Sequence, residues 1–394
     1  MKAESKRTIR VFALASFFND FGSDIIYPVW PMFITTVLRA NMAVLGFLDG
    51  LGEALVSLSQ AVSGTLSDRW HKRKVFIWTG YLCGSLSRLG YALSSIWTQV
   101  IPFRVLDRAG KIRSAPRDAM VADLSTEANR GRNFGLLRAM DNAGALAGIL
   151  ACIILVNFLD LRVLFALAAL PSLVSVAVIL LLIREAKPAE KHIFKGVFFK
   201  GFSSNFRLYL ISNAIFALGA FSYSFLLIFA KDAGFKPGFV PVLYLLYTAA
   251  AAFLSLPFGR LSDRFGRKSI LLISFGLWSV VSLGMVFGRS LVFVGGMFVV
   301  YGLHKAALEP AQRALVSDLA PAGLRASFLG TFQMVIGLCA LPASFLAGLL
   351  WDRFGRAVPF LLSLALTVGS AVLLLFVKET AKNKEQEKAL SAKA

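Results

Sequence analysis

Twelve runs of about twenty mostly apolar residues, joined by short polar connections, dominate this 394-residue chain. A helix needs roughly twenty residues to cross the hydrocarbon of a bilayer, and in lipid only helices and closed barrels satisfy their own backbone groups. Candidate spans lie near residues 10–37, 43–66, 74–95, 98–121, 133–157, 162–183, 208–230, 239–259, 269–288, 291–315, 327–350 and 357–377. The fourth and tenth carry several charges and are the weakest of the set. The expected fold is therefore an all-α integral membrane protein of twelve transmembrane helices. Apolar side chains make up 57% of the chain and charged ones only 16%, against about 45–50% and about 25% in an ordinary soluble domain. This excludes a disordered chain, a secreted disulfide scaffold and a two-domain cytosolic enzyme. Cys83, Cys152 and Cys339 are odd in number and sit inside apolar runs, as small packing residues do. The basic start and the apolar stretch from Val11 to Phe18 look like a secretion signal. That stretch then meets Asn19 and Asp20 and reaches Pro28 and Pro31 without a small-residue cleavage site, so it is expected to be a retained first span.

The formal charge of +20 is distributed unevenly. With the N-terminus inside, 26 of the 42 Lys and Arg residues fall in the tails and even-numbered connections and 7 in the odd-numbered ones. The positive-inside rule then places both termini in the cytoplasm and the chain in the cytoplasmic membrane. No nucleic-acid partner is needed to explain the charge. The chain also repeats itself. Gly64-Thr-Leu-Ser-Asp68-Arg69 returns as Gly259-Arg-Leu-Ser-Asp263-Arg264, 195 residues on. The same offset relates Arg73 to Lys268, Asp123 to Asp318, Arg130 to Arg325 and Gly135 to Gly330. The expected organisation is two parallel six-helix bundles, residues 1–183 and 208–378, with a basic cytoplasmic linker at 184–207 and a cytoplasmic tail at 379–394. Parallel halves are one architecture of secondary transporters.

The repeated loop, with Lys72-Arg73-Lys74 after its first copy and Gly266-Arg267-Lys268 after its second, resembles the signature of the major facilitator superfamily. The resemblance covers the whole chain. Within the superfamily the chain is similar to the twelve-span drug:proton antiporters through Gly22-(x5)-Pro28-Val29-x-Pro31 in the first span. Arg104-x-Leu106-Asp107-Arg108 in the fourth and Gly135, Gly144 and Gly148 in the fifth extend the likeness. It departs where Asp107 and Arg108 replace Gln and Gly, and where Ile149 replaces a proline. The resemblance implies two pseudo-symmetric bundles. It implies that Gly64, Asp68, Arg69, Arg73, Gly259, Asp263, Arg264 and Arg267 build loop contacts that stabilise an outward-facing state. Asp123, Arg130, Asp318 and Arg325 would join the same cytoplasmic network, and Gly135, Gly144 and Gly148 would form a gating seam. It also links Arg104 to proton transfer and puts Asp24 where some antiporters carry an essential acid.

An ionisable group at the centre of a bilayer is costly, by roughly 2.5–3.5 kcal/mol on the lenient scale, and so faces a cavity or a partner. Asp20 and Asp24 are four apart in the first span, as are Asp49 and Glu53 in the second. Arg104, Arg108 and Lys111 share one face of the fourth, flanked by Asp107, and Arg138 and Asp141 lie within one turn of the fifth. Lys305, Glu309 and Arg313 form one stripe in the tenth, beside His304. Proton coupling and substrate contact are expected among Asp20, Asp24, Asp49, Glu53, Arg104, Asp107, Arg108, Arg138, Asp141, His304, Lys305 and Glu309. A buried carboxylate can take and release a proton because desolvation and a nearby arginine pull it in opposite directions. The competing expectation is that these acids merely neutralise Arg104, Arg108 or Arg138. Arg88, Arg113, Arg117 and Asp118 are expected to be structural, and His71 and His192 solvated.

No phosphate-binding loop, metal-ligand spacing or nucleophile elbow occurs, so neither an enzyme, a metal nor a cofactor is expected. The sequence points to a monomeric secondary transporter that exports a small organic molecule in exchange for protons. The mixed charges suggest an amphipathic, zwitterionic or anionic substrate. An uptake symporter or facilitator, and a sensor or enzyme on a transporter scaffold, remain open alternatives.

Overall fold

The structure is a computed structural model that describes residues 2–70, 72–183, 185, 202–288, 290–321 and 324–379, with backbone alone at 2–4, 61, 64–70, 127, 128 and 326. His71, His192, most of the basic linker and the tail beyond 379 lie outside the described residues. The described chain is helical and holds no strand. Its elements compose twelve spans. The first is α1 (Lys2–Ile26) followed by α2 (Trp30–Met32) and a π-helical turn at Phe33–Val37; the second and third are α3 (Met42–Trp70) and α4 (Arg73–Leu93). The fourth joins α5 (Trp97–Ala109) to α6 (Ser114–Asp123) through a 3₁₀ turn, and the fifth and sixth are α7 (Glu127–Leu155) and α8 (Leu161–Leu182). The seventh is α9 (Ser204–Gly219) with α10 (Ser224–Asp232). It is followed by α11 (Val240–Phe265), α12 (Arg267–Phe287), α13 (Leu291–Leu319), α14 (Arg325–Phe354) and α15 (Val358–Leu375).

Among the described residues, nine of the spans are long and apolar enough to cross a membrane on length and composition alone. The three that fall short are the first, third and fourth, which carry Asp20, Asp24, Arg88 and the charged run from Arg104 to Asp118.

The chain divides into two compact units, one holding the described residues of 1–194 with 236–242 and the other those of 195–235 and 243–394. Each packs its spans in the same pattern. In the first unit α1 lies against α7 and α8, and α4 against α8; in the second α9 lies against α14 and α15, and α12 against α15. The first span of each unit is also broken at an equivalent place. Pro28 has no N–H to continue α1, and the chain turns through Tyr27 to Val29, where Val29 N–H bonds Ile26 O at 3.0 Å. The second break, at 220–223, contains no proline. Serine oxygens receive its loose amides instead: Ser222 N–H donates to Ser344 Oγ at 3.3 Å and Ser224 N–H to Ser222 Oγ at 3.2 Å.

The Asp-Arg-Phe-Gly-Arg pentapeptide of residues 263–267 recurs at 352–356. In both copies the glycine has positive φ, +96° at Gly266 and +90° at Gly355, so it ends one helix where a side chain would be strained. A buried cluster that includes Phe12, Ile77, Tyr81, Val121, Leu137 and Ile179 fills the first unit between its spans.

Candidate functional site

The polar residues of the first unit form two groups. In the first, Asp49 of α3 is 4% exposed and its Oδ1 accepts from Arg104 Nη2 at 2.9 Å and Trp30 Nε1 at 2.8 Å. Arg104 also donates through Nε to Leu48 O at 3.2 Å and lies over the Trp30 ring, 4.3 Å from its centroid. A buried ion pair withstands desolvation only when further hydrogen bonds satisfy both partners; this pair has them. One turn along α5, Arg108 lies 3.4 Å from Asp107 Oδ2 and 3.4 Å from the Tyr27 hydroxyl, with its charge 5.2 Å from the centre of the Tyr27 ring. Gly52 makes room for both arginines, since a Cβ there would stand 3.1 Å from Arg104 Nε and 3.2 Å from Arg108 Nε.

Arg88 of α4 completes this group. It is 2% exposed and makes no ion pair among the described residues. It donates instead to Ala168 O and Ser172 Oγ of α8 and to Asn19 O and Ser23 Oγ of α1. Tyr27, Trp30, Arg88, Tyr91, Arg104 and Asp107 line a small pocket here. Glu53, by contrast, is exposed.

The second group lies where α1, α6 and α7 meet. Arg117 donates to Ser16 Oγ at 2.7 Å and pairs with Asp118 at 3.0 Å. Asp141 is 9% exposed, 3.8 Å from Arg117 and 3.6 Å from Arg138, and its Oδ1 is buried with no hydrogen bond. Asp20, whose Oδ1 accepts from Asn19 Nδ2 at 2.8 Å, adds a second carboxylate field to this group. Asp24 lies one turn further along α1, half-buried, with its backbone under Gly148.

The fifth-span glycines divide. A Cβ at Gly144 would collide with Phe17 O, and one at Gly148 with Phe21 O, so these two bring α7 onto the backbone of α1. Gly135 has open space around it and takes no part in that seam.

The loop motif builds the same device in each unit. Arg73 pairs with Asp123 at 2.5 Å, and Arg267 pairs with Asp318 and, at 2.7 Å, with Asp263. Glu185 Oε1 accepts from Arg73 N–H at 2.8 Å, and Glu379 Oε1 accepts from Lys268 N–H at 2.7 Å. Lys74 Nζ donates to Leu180 O and Lys268 Nζ to Leu375 O. Arg73 is thus matched by Arg267, 194 residues on, where the sequence repeat aligned it with Lys268. Three residues, Trp70 to Lys72, separate Arg69 from Arg73, while Phe265 and Gly266 alone separate Arg264 from Arg267. Arg264 rests over Phe265, 5.3 Å from the ring centre, and Gly259 has open space around it. Arg130 and Arg325 are exposed and make no ion pair among the described residues. The side chains of Gly64, Asp68 and Arg69 lie outside the described residues.

In the second unit His304 is buried at 1% exposure, with Nδ1 2.9 Å from Ser274 Oγ, between Phe216, Trp278 and Tyr301. Lys305 Nζ lies 5.6 Å from the centre of the Tyr301 ring, and Glu309 is exposed. The surroundings of His304 are aromatic. Tyr223, Tyr244, Tyr247 and Tyr301 meet edge to face or tilted.

Tyr27, Trp30, Ser16, Glu185 and Glu379 stand outside the site residues expected from the sequence. Tyr27 and Trp30 flank the Pro28 break, and the two glutamates stand 194 apart at the close of the sixth and twelfth spans. Those were the available signals.

The pattern that describes the Major Facilitator Superfamily matches residues 12–230 and 209–393. An uncharacterized MFS-type transporter of Methanocaldococcus jannaschii is 34% identical over 383 residues, covering 95% of this chain and 96% of its own. The multidrug resistance protein MdtH of Aeromonas hydrophila is 26% identical over 389 residues, 96% of each chain. A crystal structure of a singly substituted nucleoside transporter NupG superposes with a TM-score of 0.79 at 13% identity, over 93% of this chain and 99% of that one. That last likeness concerns the fold.

Proposed function

We propose that this chain, which belongs to the major facilitator superfamily, exports a small organic molecule across the cytoplasmic membrane in exchange for protons. Its similarity to a multidrug resistance protein favours export. One observation carries the proton coupling: the Asp141 carboxylate has its Oδ1 buried and unbonded, 3.8 Å from Arg117, while its Oδ2 lies 3.6 Å from Arg138. An ionised carboxylate accepts several hydrogen bonds, and one left without them loses the solvation that its charge requires. The arginines favour the anion and the missing bonds favour the protonated acid, so the site can exchange a proton as its surroundings change. Asp20 and Asp24 on the facing helix are its partners in that exchange. Asp49 is committed to Arg104 and Trp30 and serves to hold the pocket.

Alternating access requires differential contacts in its two states. In this proposal the loop ion pairs, Arg73 with Asp123 and Arg267 with Asp318, stabilise one of them, with both termini on the cytoplasmic side. The Gly144–Gly148 seam lets α1 slide on α7.

The test begins with compounds that raise the unfolding temperature of the purified protein. In inside-out vesicles an interior-acid gradient should drive their accumulation; accumulation driven instead by exterior acid in right-side-out vesicles establishes symport. Asp141→Asn should retain counterflow exchange yet lose at least tenfold in gradient-driven accumulation. Full gradient-driven transport in Asp24→Asn would remove Asp24 from the coupling group.

A further inference from the structure

We infer that the polar group of the first unit receives an anionic group of the substrate, a carboxylate or a phosphate ester, on Arg108, beside the pocket that Arg88 and Arg104 line. The inference rests on that pocket being the transport site.

The acids and bases of this group are not equally satisfied. Asp49 already accepts two charged or indole donors, and Asp107 faces Arg108 at 3.4 Å. A cationic substrate would have to displace an arginine from either acid. The arginines are different. Arg108 is 8% exposed; its Nε lies 3.4 Å from Asp107 Oδ2 without a hydrogen bond, and its Nη1 has only a long contact of 3.4 Å to a phenol, so its donors are less well met than those of Arg104. A guanidinium presents five donors in a fixed fork, and a buried donor without an acceptor is costly. Arg88 has four acceptors, and all are neutral oxygens.

Two guanidinium groups also converge on the bare face of Gly52, and only Arg104 has a hydrogen-bonded carboxylate. Lys111 extends the same stripe and is half-buried. Like charges packed this closely attract an anion, and the planar fork of an arginine binds carboxylate or phosphate with two parallel bonds. Tyr27, Trp30 and Tyr91 supply an aromatic surround, which suits a compound whose anionic group is attached to a flat or apolar body. The arrangement therefore selects by charge sign at one end and by shape at the other.

The experiment uses the full-length purified protein and a matched set of probes: benzoate, phenyl phosphate, benzamide, benzylamine and inorganic phosphate. A ligand that binds only the folded state raises the unfolding midpoint. Benzoate, phenyl phosphate or both should raise it, while benzamide and benzylamine leave it unchanged. Inorganic phosphate alone shows whether the anionic group suffices without the aromatic body. Arg108→Gln should weaken the effective anion at least tenfold, and Arg108→Lys should restore part of that loss if charge contributes apart from the fork. Stabilisation by benzylamine with no response to either aromatic anion overturns the inference, as does an anion response that both Arg108 variants retain in full. Proton flux is measured separately in vesicles. Anion binding without flux would leave this inference standing and remove the coupling; proton-driven export of a cation with no anion binding would do the reverse.

Discussion

Arg88 shows how a charge can be made structural without an opposite charge. Its guanidinium reaches two helices at once, α1 through Asn19 and Ser23 and α8 through Ala168 and Ser172, and its removal would leave buried acceptors unpaired. Arg88→Ala should therefore destabilise the first unit by about 3 kcal/mol. Asp118→Asn should cost under about 1 kcal/mol, because that side chain is 37% exposed. Unfolding titrations in mixed detergent read both, and an equal loss in the two variants would contradict the bridging role. A structural Arg88 is expected from the sequence but its partners are not, since backbone carbonyls and serines leave no charge pattern. The same holds at Asp49. Its four-residue spacing to Glu53 suggested a shared face, yet burial divides the pair, with Asp49 held by Arg104 and Trp30 and Glu53 exposed.

At the scale of the helix, close approach decides which glycines matter. Gly144 and Gly148 are spaced like Phe17 and Phe21, so each removes one side chain from one turn of the contact between α7 and α1. Gly144→Ala should force α1 to shift and cost about 1–3 kcal/mol. Gly135→Ala adds its methyl to open space and should be neutral, or stabilising by up to about 1 kcal/mol from helix propensity. Paired measurements of unfolding midpoint test the contrast directly. The family resemblance grouped Gly135 with Gly144 and Gly148, but Gly135 makes no such close approach, because a sequence does not say where a neighbouring helix diverges. The span breaks divide in a similar way. Pro28 announces the first, whereas the second at 220–223 depends on the hydroxyls of Ser222 within it and of Ser344 from elsewhere in the second unit, and no proline marks it.

Across the whole molecule the duplication is expressed most clearly in the acids that close each unit. Glu185 and Glu379 both follow a last transmembrane helix and both accept amide bonds at the start of a third one. The start of a helix leaves amide donors unpaired and carries partial positive charge, so a carboxylate there satisfies both. The loop repeat was plain in the sequence because identical residues recur in order, but these acids lay beyond it, in segments expected to be a basic linker and a tail. A single residue of difference in loop length also hid the true match of Arg73 with Arg267. If the two devices are copies of one element serving separate units, Glu185→Ala and Glu379→Ala should each cost about 1–2 kcal/mol, the usual effect of losing a cap. The double variant should equal the sum within about 0.5 kcal/mol, since sites without shared partners are additive. Equilibrium unfolding of the two single variants and the double measures this. A coupling well above that margin would mean that the two capped ends report on each other, and the stability of the protein would then have to be treated as one cooperative unit rather than as two.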